Sequence, residues 1–245
     1  MGRFDRISHV RETGSTNDDM ARMLGEDRAR GLTLVAEFQH RGAGRKGRAW
    51  IAPAGSALLC TIALPDPLPA SRLWAVPFWI ALAVRGALAR FGIESVLQWP
   101  NDVLIRGSKV AGILCISRVS GEQAWAACGV GINVRRPEND NGLKAIQPPP
   151  AFVSDYANVS RDEVLSAVLE RADGMYDALE DPAHIMQSWN AAAQLPGAPY
   201  RIAIDGAPEA FDATALRLVE GGALLVEHDG REREISLADA RILRD

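Results

Sequence analysis

No acidic residue occurs between Glu37 and Asp66, in a chain of 245 residues whose formal charge is −4. The mildly acidic total argues against a general nucleic-acid binder. The three cysteines, Cys60, Cys115 and Cys128, each lie in an apolar run and form no C-x-x-C pair. That pattern excludes a disulfide scaffold, speaks against a zinc site and predicts buried, reduced thiols. The N-terminus has no hydrophobic signal core, and Arg6 spoils a myristoylation pattern. The longest apolar run, Leu73 to Val84, is about twelve residues, against about twenty for a membrane span. The expectation is a cytoplasmic protein with no membrane partner. Neither a repeat nor a low-complexity tract is present, which excludes solenoid and disordered classes.

Against the acidic total stands a local cationic block. Residues 38–55 read FQHRGAGRKGRAWIAPAG and set Arg41, Arg45, Lys46 and Arg48 among Gly42, Gly44 and Gly47. Glycine lets backbone N–H groups approach a ligand, and arginine pairs with carboxylate or phosphate. Gly42 to Gly47 matches G-x-G-x-x-G after the apolar run Leu32–Ala36, but no helix can open at Trp50-Ile51-Ala52-Pro53-Ala54-Gly55. The P-loop template fails as well, because Arg48-Ala49 follows Gly47. The block reads as a loop that closes over a small anion, and a plain solvated basic loop is the competing reading. Its glycines and repelling charges predict a segment that is cheap to disorder and that folds down on an anionic ligand.

Along the chain, Ser15-Thr16-Asn17-Asp18-Asp19 reads as a helix start carried on by Met20, Met23 and Leu24. Strands are predicted over Leu32–Phe38 and Ala57–Leu64, with the cationic loop between them. A helix apolar on nearly all sides spans Ser71–Phe91, with Pro77 kinking it or lying in its first turn. Val96–Trp99 is a short strand stopped by Pro100-Asn101-Asp102. Val103–Ile105 and Lys109–Ile116 form a hairpin about Gly107-Ser108, and Gln123–Val134 is a strand threaded by Gly129 and Gly131. Residues 135–159 read as loop, with Pro148-Pro149-Pro150 inside. Ser160-Arg161-Asp162-Glu163 is a capping box opening a helix to about Leu179, and a second helix covers Ala183–Gln194. Leu195-Pro196-Gly197-Ala198-Pro199 separates a larger unit, 1–195, from a smaller one, 196–245. The latter has strands at Tyr200–Ile204, Thr214–Val219, Ala223–His228 and Glu232–Ser236, joined by turns such as Gly221-Gly222 and Asp229-Gly230. Short strands over this length suggest a small SH3-like β-barrel.

Four stretches in order carry a family resemblance. Ser15-Thr16-Asn17 resembles an S-T-N motif, and Gln39 with Gly42–Trp50 resembles Q…G-R-G-R-x-G-R-x-W. Trp99-Pro100-Asn101-Asp102 with Lys109–Leu114 resembles K-W-P-N-D…K-x-x-G-I-L, and Gly129–Val134 resembles G-I-G-I-N-V. Together these resemble the biotin protein ligases (biotin–[acetyl-CoA-carboxylase] ligases) over residues 15–134. Ala43 stands where that family usually has Arg, Gln98 where it has Lys, and Arg135 where Asn follows G-I-N-V. The resemblance implies an α+β fold: a mixed sheet flanked by helices, like class II aminoacyl-tRNA synthetases, followed by the SH3-like domain.

It also implies a reaction. Biotin and ATP give biotinyl-5′-AMP, and biotin passes to a lysine of the biotin carboxyl carrier domain of acetyl-CoA carboxylase or another biotin-dependent carboxylase. By resemblance, Lys109, Arg45 and Arg48 are catalytic, neutralising the two anions that must meet. Ser15, Thr16, Asn17, Gln39, Gly42, Gly44, Arg45, Lys109, Gly112 and Gly131 bind biotin. Arg45, Arg48, Trp50, Asn101, Asp102, Lys109 and Asn133 bind ATP, and Asp102 bears on Mg²⁺. Because S-T-N arrives by residue 15, no space is expected for a DNA-binding domain and no DNA partner is expected; a homodimer stays open. A lipoate or octanoate ligase of the same fold, and a non-catalytic biotin binder, are the alternatives.

Overall fold

The structure is a computed structural model that describes residues 2–138, 146, 149–205, 209–237 and 240–243, with the side chains of Ala240, Arg241 and Leu243 left aside. Residues 139–145 and 147–148 of the expected loop, Pro148 included, lie outside the described residues. Strands β1 (Arg6–Thr13) and β2 (Leu32–Gln39) run parallel, and β3 (Ala57–Ala63) is antiparallel to β2. The two-residue β4 (Leu68–Pro69) follows, then β5 (Val96–Gln98), β6 (Asp102–Ile105), β7 (Ser108–Ser120) and β8 (Gln123–Asn133). Their order is β1-β2-β3-β8-β7-β6-β5, with β4 on β8. This is the mixed sheet that the resemblance implies. β3 is buried along its whole length, as a strand with apolar residues on both faces must be. β1 carries six charged or polar residues among eight and is exposed on both faces, so no apolar alternation announces it.

One face of this sheet carries the large core. Helix α2 (Val76–Arg90) follows a 3-10 turn over Ala70–Ala75, and Pro77 sits in its first turn, where the missing N–H costs nothing. The helical stretch Ala70–Arg90 is long and apolar enough to cross a membrane, longer than the run Leu73–Val84 suggests. Here it packs inside the fold, with Phe78, Trp79, Ile80 and Val84 fully buried. Burying each such side chain contributes about 1.5–3 kcal/mol. Helix α3 (Arg161–Gly174) begins with the expected capping box: Glu163 N donates to Ser160 Oγ, and Ser160 N donates to a Glu163 carboxylate oxygen. It ends five residues earlier than expected and a 3-10 turn, Tyr176–Glu180, takes over. Helix α4 (Pro182–Ala192) completes this layer. The opposite face carries a smaller cluster, in which the short helix α1 (Thr16–Ala21) sets Met20 against Leu34, Ala63 and Ala127.

Past residue 195 the chain forms a second, antiparallel sheet of five strands: β9 (Ala198–Ile204), β10 (Phe211–Leu218), β11 (Leu224–His228), β12 (Arg231–Ile235) and β13 (Ala240–Leu243). Its order is β12-β11-β10-β9-β13. Asp229 and Gly230, both at positive φ, make the β11–β12 hairpin turn, as an Asp-Gly pair is suited to do. β13 was not foreseen. Tyr200, Ile202, Leu218, Leu224 and Val226 join the same apolar core as α2 and α4.

Candidate functional site

The site lies on the α1 face of the first sheet, where two adjacent strands, β7 and β8, expose glycine. Gly112 of β7 pairs with Gly131 of β8, which pairs with Leu59 of β3; Leu114 pairs with Gly129, which pairs with Thr61. Facing residues without side chains leave a trough between β7 and β8. The indole of Trp50 lies in it: a Cβ built on Gly131 would come within 2.6 Å of Trp50 Cε2, and one on Gly112 within 2.8 Å of Trp50 Cζ3. Trp50 Nε1 is buried without a hydrogen-bond partner, and Lys109 Nζ stands 5.3 Å from the ring centroid. Gly129 serves a different neighbour. A Cβ there would fall 2.7 Å from Asn17 Cγ, so this glycine seats the asparagine of S-T-N.

At one end of the trough the polar groups are tightly connected. Ser15, Thr16 and Asn17 are buried. Gln39 Oε1 accepts from Thr16 N at 2.7 Å and lies 3.0 Å from Thr16 Oγ1. Asn17 Nδ2 donates to Leu114 O at 2.9 Å. The Thr61 hydroxyl is 2.8 Å from both Thr16 Oγ1 and Asn17 Oδ1. The amide of Asn17, expected to face a ligand, is therefore engaged at both ends by the protein. Thr61 is the participant that the motif reading missed. Its sequence signal was a lone hydroxyl inside the apolar strand Ala-Leu-Leu-Cys-Thr-Ile-Ala.

At the other end the charges are cationic. Lys109 Nζ pairs with the buried carboxylate of Asp102 at 2.6 Å. Asn133 Nδ2 donates to Lys109 O at 3.2 Å, and Asn101 Nδ2 donates to Ile113 O at 2.9 Å, so both asparagines brace β7. Burial, and next the neighbouring Arg48, draws the Arg45 guanidinium below its ordinary pKa, with Asp102 opposing. Among the described residues no group of three or more His, Cys, Asp or Glu comes together to hold a metal. Asp102 offers a single carboxylate that already faces Lys109.

The cationic loop is folded back on itself. Gly44 N donates to Arg48 O at 2.6 Å and Trp50 N to Gly42 O at 2.8 Å, with an Ala43–Ala49 bridge between. A Cβ on Gly42 would collide with the Trp50 carbonyl oxygen, so this glycine permits the flap to close on itself. A 3-10 turn over Arg45–Gly47 forms the tip, with Lys46 at φ 54°. Two contacts tie the tip to the second sheet: Arg45 Nη2 donates to Leu237 O, and Lys46 pairs with Asp205. Composition alone predicted a loop poor in contacts of its own.

One pocket gathers Ser15, Thr16, Asn17, Gln39, Gly44, Arg45, Arg48, Trp50, Asn101, Lys109, Gly112, Gly131 and Asn133. Gly42 and Asp102 are not among the residues that line it. Arg41 lies along Gly14, outside the lining, so neither it nor Lys46 fills the place of the charge that Ala43 lacks. Trp99, the first residue of W-P-N-D, is fully buried between the two sheets, its Nε1 donating to Gly222 O at 3.1 Å and its N to the Tyr200 hydroxyl at 3.2 Å. Its work is to join the sheets rather than to touch a ligand.

Comparison with known proteins agrees with this arrangement. The chain is 29% identical to the biotin–[acetyl-CoA-carboxylase] ligase of Mycobacterium tuberculosis, over 98% of this chain and 90% of that protein. It is 33% identical to the enzyme of the same name from Paracoccus denitrificans, over 76% of this chain and 80% of the other. The fold matches that of biotin protein ligase from Aquifex aeolicus in complex with biotin and ATP at a TM-score of 0.78 and 24% identity, covering 99% of this chain and 100% of that one. The sequence profile of the biotin/lipoate A/B protein ligase family matches residues 11–133, which hold the S-T-N, glycine-loop, W-P-N-D and K-x-x-G-I-L stretches, and the chain belongs to that family.

Proposed function

We propose that the protein is a biotin–[acetyl-CoA-carboxylase] ligase: it activates biotin with ATP to biotinyl-5′-AMP and transfers biotin to a lysine of a biotin carboxyl carrier domain. The observation that carries this reading is one pocket with a hydrogen-bonding end at Thr16 and Gln39, a glycine trough in the middle, and a cationic end at Arg45, Arg48 and Lys109. A neutral, hydrogen-bonding ring with an apolar tail and a terminal carboxylate has those three parts in that order. The relatives named above supply the substrate class.

In the first step a biotin carboxylate oxygen attacks the α-phosphorus of ATP. The new P–O bond forms as the bond to pyrophosphate breaks, and the products are the mixed anhydride and pyrophosphate. Two anions must meet, so fixed cations lower the barrier by offsetting their repulsion and the charge growing on phosphorus. Lys109, anchored by Asp102, is a compact charge at the cationic end of the trough. Arg45 and Arg48 are bidentate donors on the flap. A magnesium ion arriving with the triphosphate would neutralise phosphate charge, taking most ligands from phosphate and water, with Asp102 the carboxylate at hand. In the second step the carrier lysine amine attacks the acyl carbon, an amide forms, and AMP leaves. Trp50 lies across the trough and shifts to admit the tail, after which its ring covers the anhydride from water.

The test is ATP-dependent transfer of labelled biotin to a purified biotin carboxyl carrier domain, together with biotin-dependent ATP–pyrophosphate exchange. Both are expected. Transfer of lipoate or octanoate in preference to biotin would replace the reading with that of the sister ligases. Biotin binding without exchange would replace it with a non-catalytic binder.

A further inference from the structure

We infer that Thr61, a residue outside the ligand-lining surface, sets which atoms of the pocket floor donate and which accept, and so selects a cyclic urea over an apolar ring. The inference rests on the proposed function and concerns how its substrate is recognised.

The argument is a proton inventory. Asn17 donates through Nδ2 to Leu114 O, which fixes its amide with Oδ1 toward Thr61. Oδ1 can only accept, and Thr61 is its donor at 2.8 Å. A threonine hydroxyl carries one proton. Once Thr61 gives its proton to Asn17, its 2.8 Å contact with the Thr16 hydroxyl needs the proton of Thr16; the other acceptor within reach of that proton, Gln39 Oε1 at 3.0 Å, is the longer contact and already takes the Thr16 backbone N–H at 2.7 Å. The direction of the chain is then Thr16 to Thr61 to Asn17. Gln39 Oε1 is satisfied by the Thr16 backbone N–H at 2.7 Å, which leaves Gln39 Nε2 as donor.

What the floor offers a ligand follows. Thr16 Oγ1, its proton directed inward, presents lone pairs that accept an N–H. Gln39 presents N–H groups that seek a carbonyl. A urea has N–H donors beside a C=O and satisfies both, whereas a dithiolane or an alkyl end satisfies neither. Buried polar groups left unpaired are what makes such a site reject the wrong ligand. Thr61 is fully buried, sits opposite Gly129 on the sheet and touches no ligand, so it is a positioning residue.

The experiment compares Thr61→Val, which keeps the shape and removes the proton, with Thr61→Ser, which keeps the hydroxyl. Biotin affinity is measured calorimetrically without ATP, and KM and kcat are measured in pyrophosphate exchange. Thr61→Val is expected to weaken biotin binding and raise the biotin KM by at least tenfold. The ATP KM and the kcat at saturating biotin should stay within about threefold, and Thr61→Ser should recover most of the affinity. Should the valine burden folding, Thr61→Ala, which cannot overpack the site, reads the same loss. Wild-type affinity in Thr61→Val, or an equal loss in Thr61→Ser, overturns the inference. Absent exchange with wild-type binding intact would instead count against the catalytic reading and leave the calorimetric comparison decisive for Thr61.

Discussion

Lys109 and Asp102 show what a single residue contributes. The ammonium is held 2.6 Å from a carboxylate that is 6% exposed, so it is positioned before substrate arrives. Replacing Lys109 or Arg45 by alanine should each lower biotin-dependent pyrophosphate exchange by about 10²-fold or more, the scale for one charge-stabilising contact; a rate near wild type would remove that residue from its role. Ala43→Arg restores a charge usual in the family, and is expected to slow release of the adenylate in a filter-binding chase. The thiols belong to this scale too. Burial pushes Cys60 up to about 12 and Cys128 well above the ordinary thiol range. The thiolate is the reactive form, so at pH 8 iodoacetamide should spare both in the folded protein and modify them after urea denaturation.

Among the elements, the flap and the trough depend on one another. The flap carries Trp50 into the trough, while its tip is tied to the second sheet through Lys46–Asp205 and Arg45–Leu237. An ion pair of this kind is worth about 0–1 kcal/mol, so Asp205→Ala should raise tryptic cleavage between Arg41 and Arg48 by up to about fivefold. Saturating biotin with ATP should suppress that cleavage, since an anionic ligand supplies the counter-charge; cleavage unaffected by ligand would show that the flap does not close on it. β2, β3 and β8 were legible because long apolar runs leave a strand little choice. β1 was not, because an edge strand solvated on both faces has no apolar period to read. The flap's self-bonding was hidden as well, since glycine content announces freedom and not the partner that limits it.

At the scale of the whole molecule, the larger apolar core runs without a break from α2 and α3 into the second sheet. Trp99 is its polar fastening, bonded to Tyr200 and Gly222. Tyr200→Phe leaves the buried Trp99 N–H without its acceptor, at a cost of about 1–3 kcal/mol. A lower urea midpoint in a single transition is the expected result; two separated transitions would show that the sheets unfold independently.

The sequence by itself determined the kinds of groups at the site. A cationic glycine loop, an S-T-N cap, an Asn-Asp turn and the lysine that opens K-x-x-G-I-L are local patterns, and local patterns carry residue type and spacing. It also determined most strands and helices, through apolar period and caps. Only the tertiary structure decided which hydroxyl faces which amide. Thr61 meets Thr16 across 45 residues, and Arg45 meets Leu237 across 192. The direction of a hydrogen bond, and so what a pocket floor gives or takes, depends on distances and angles between chain segments that no local pattern encodes.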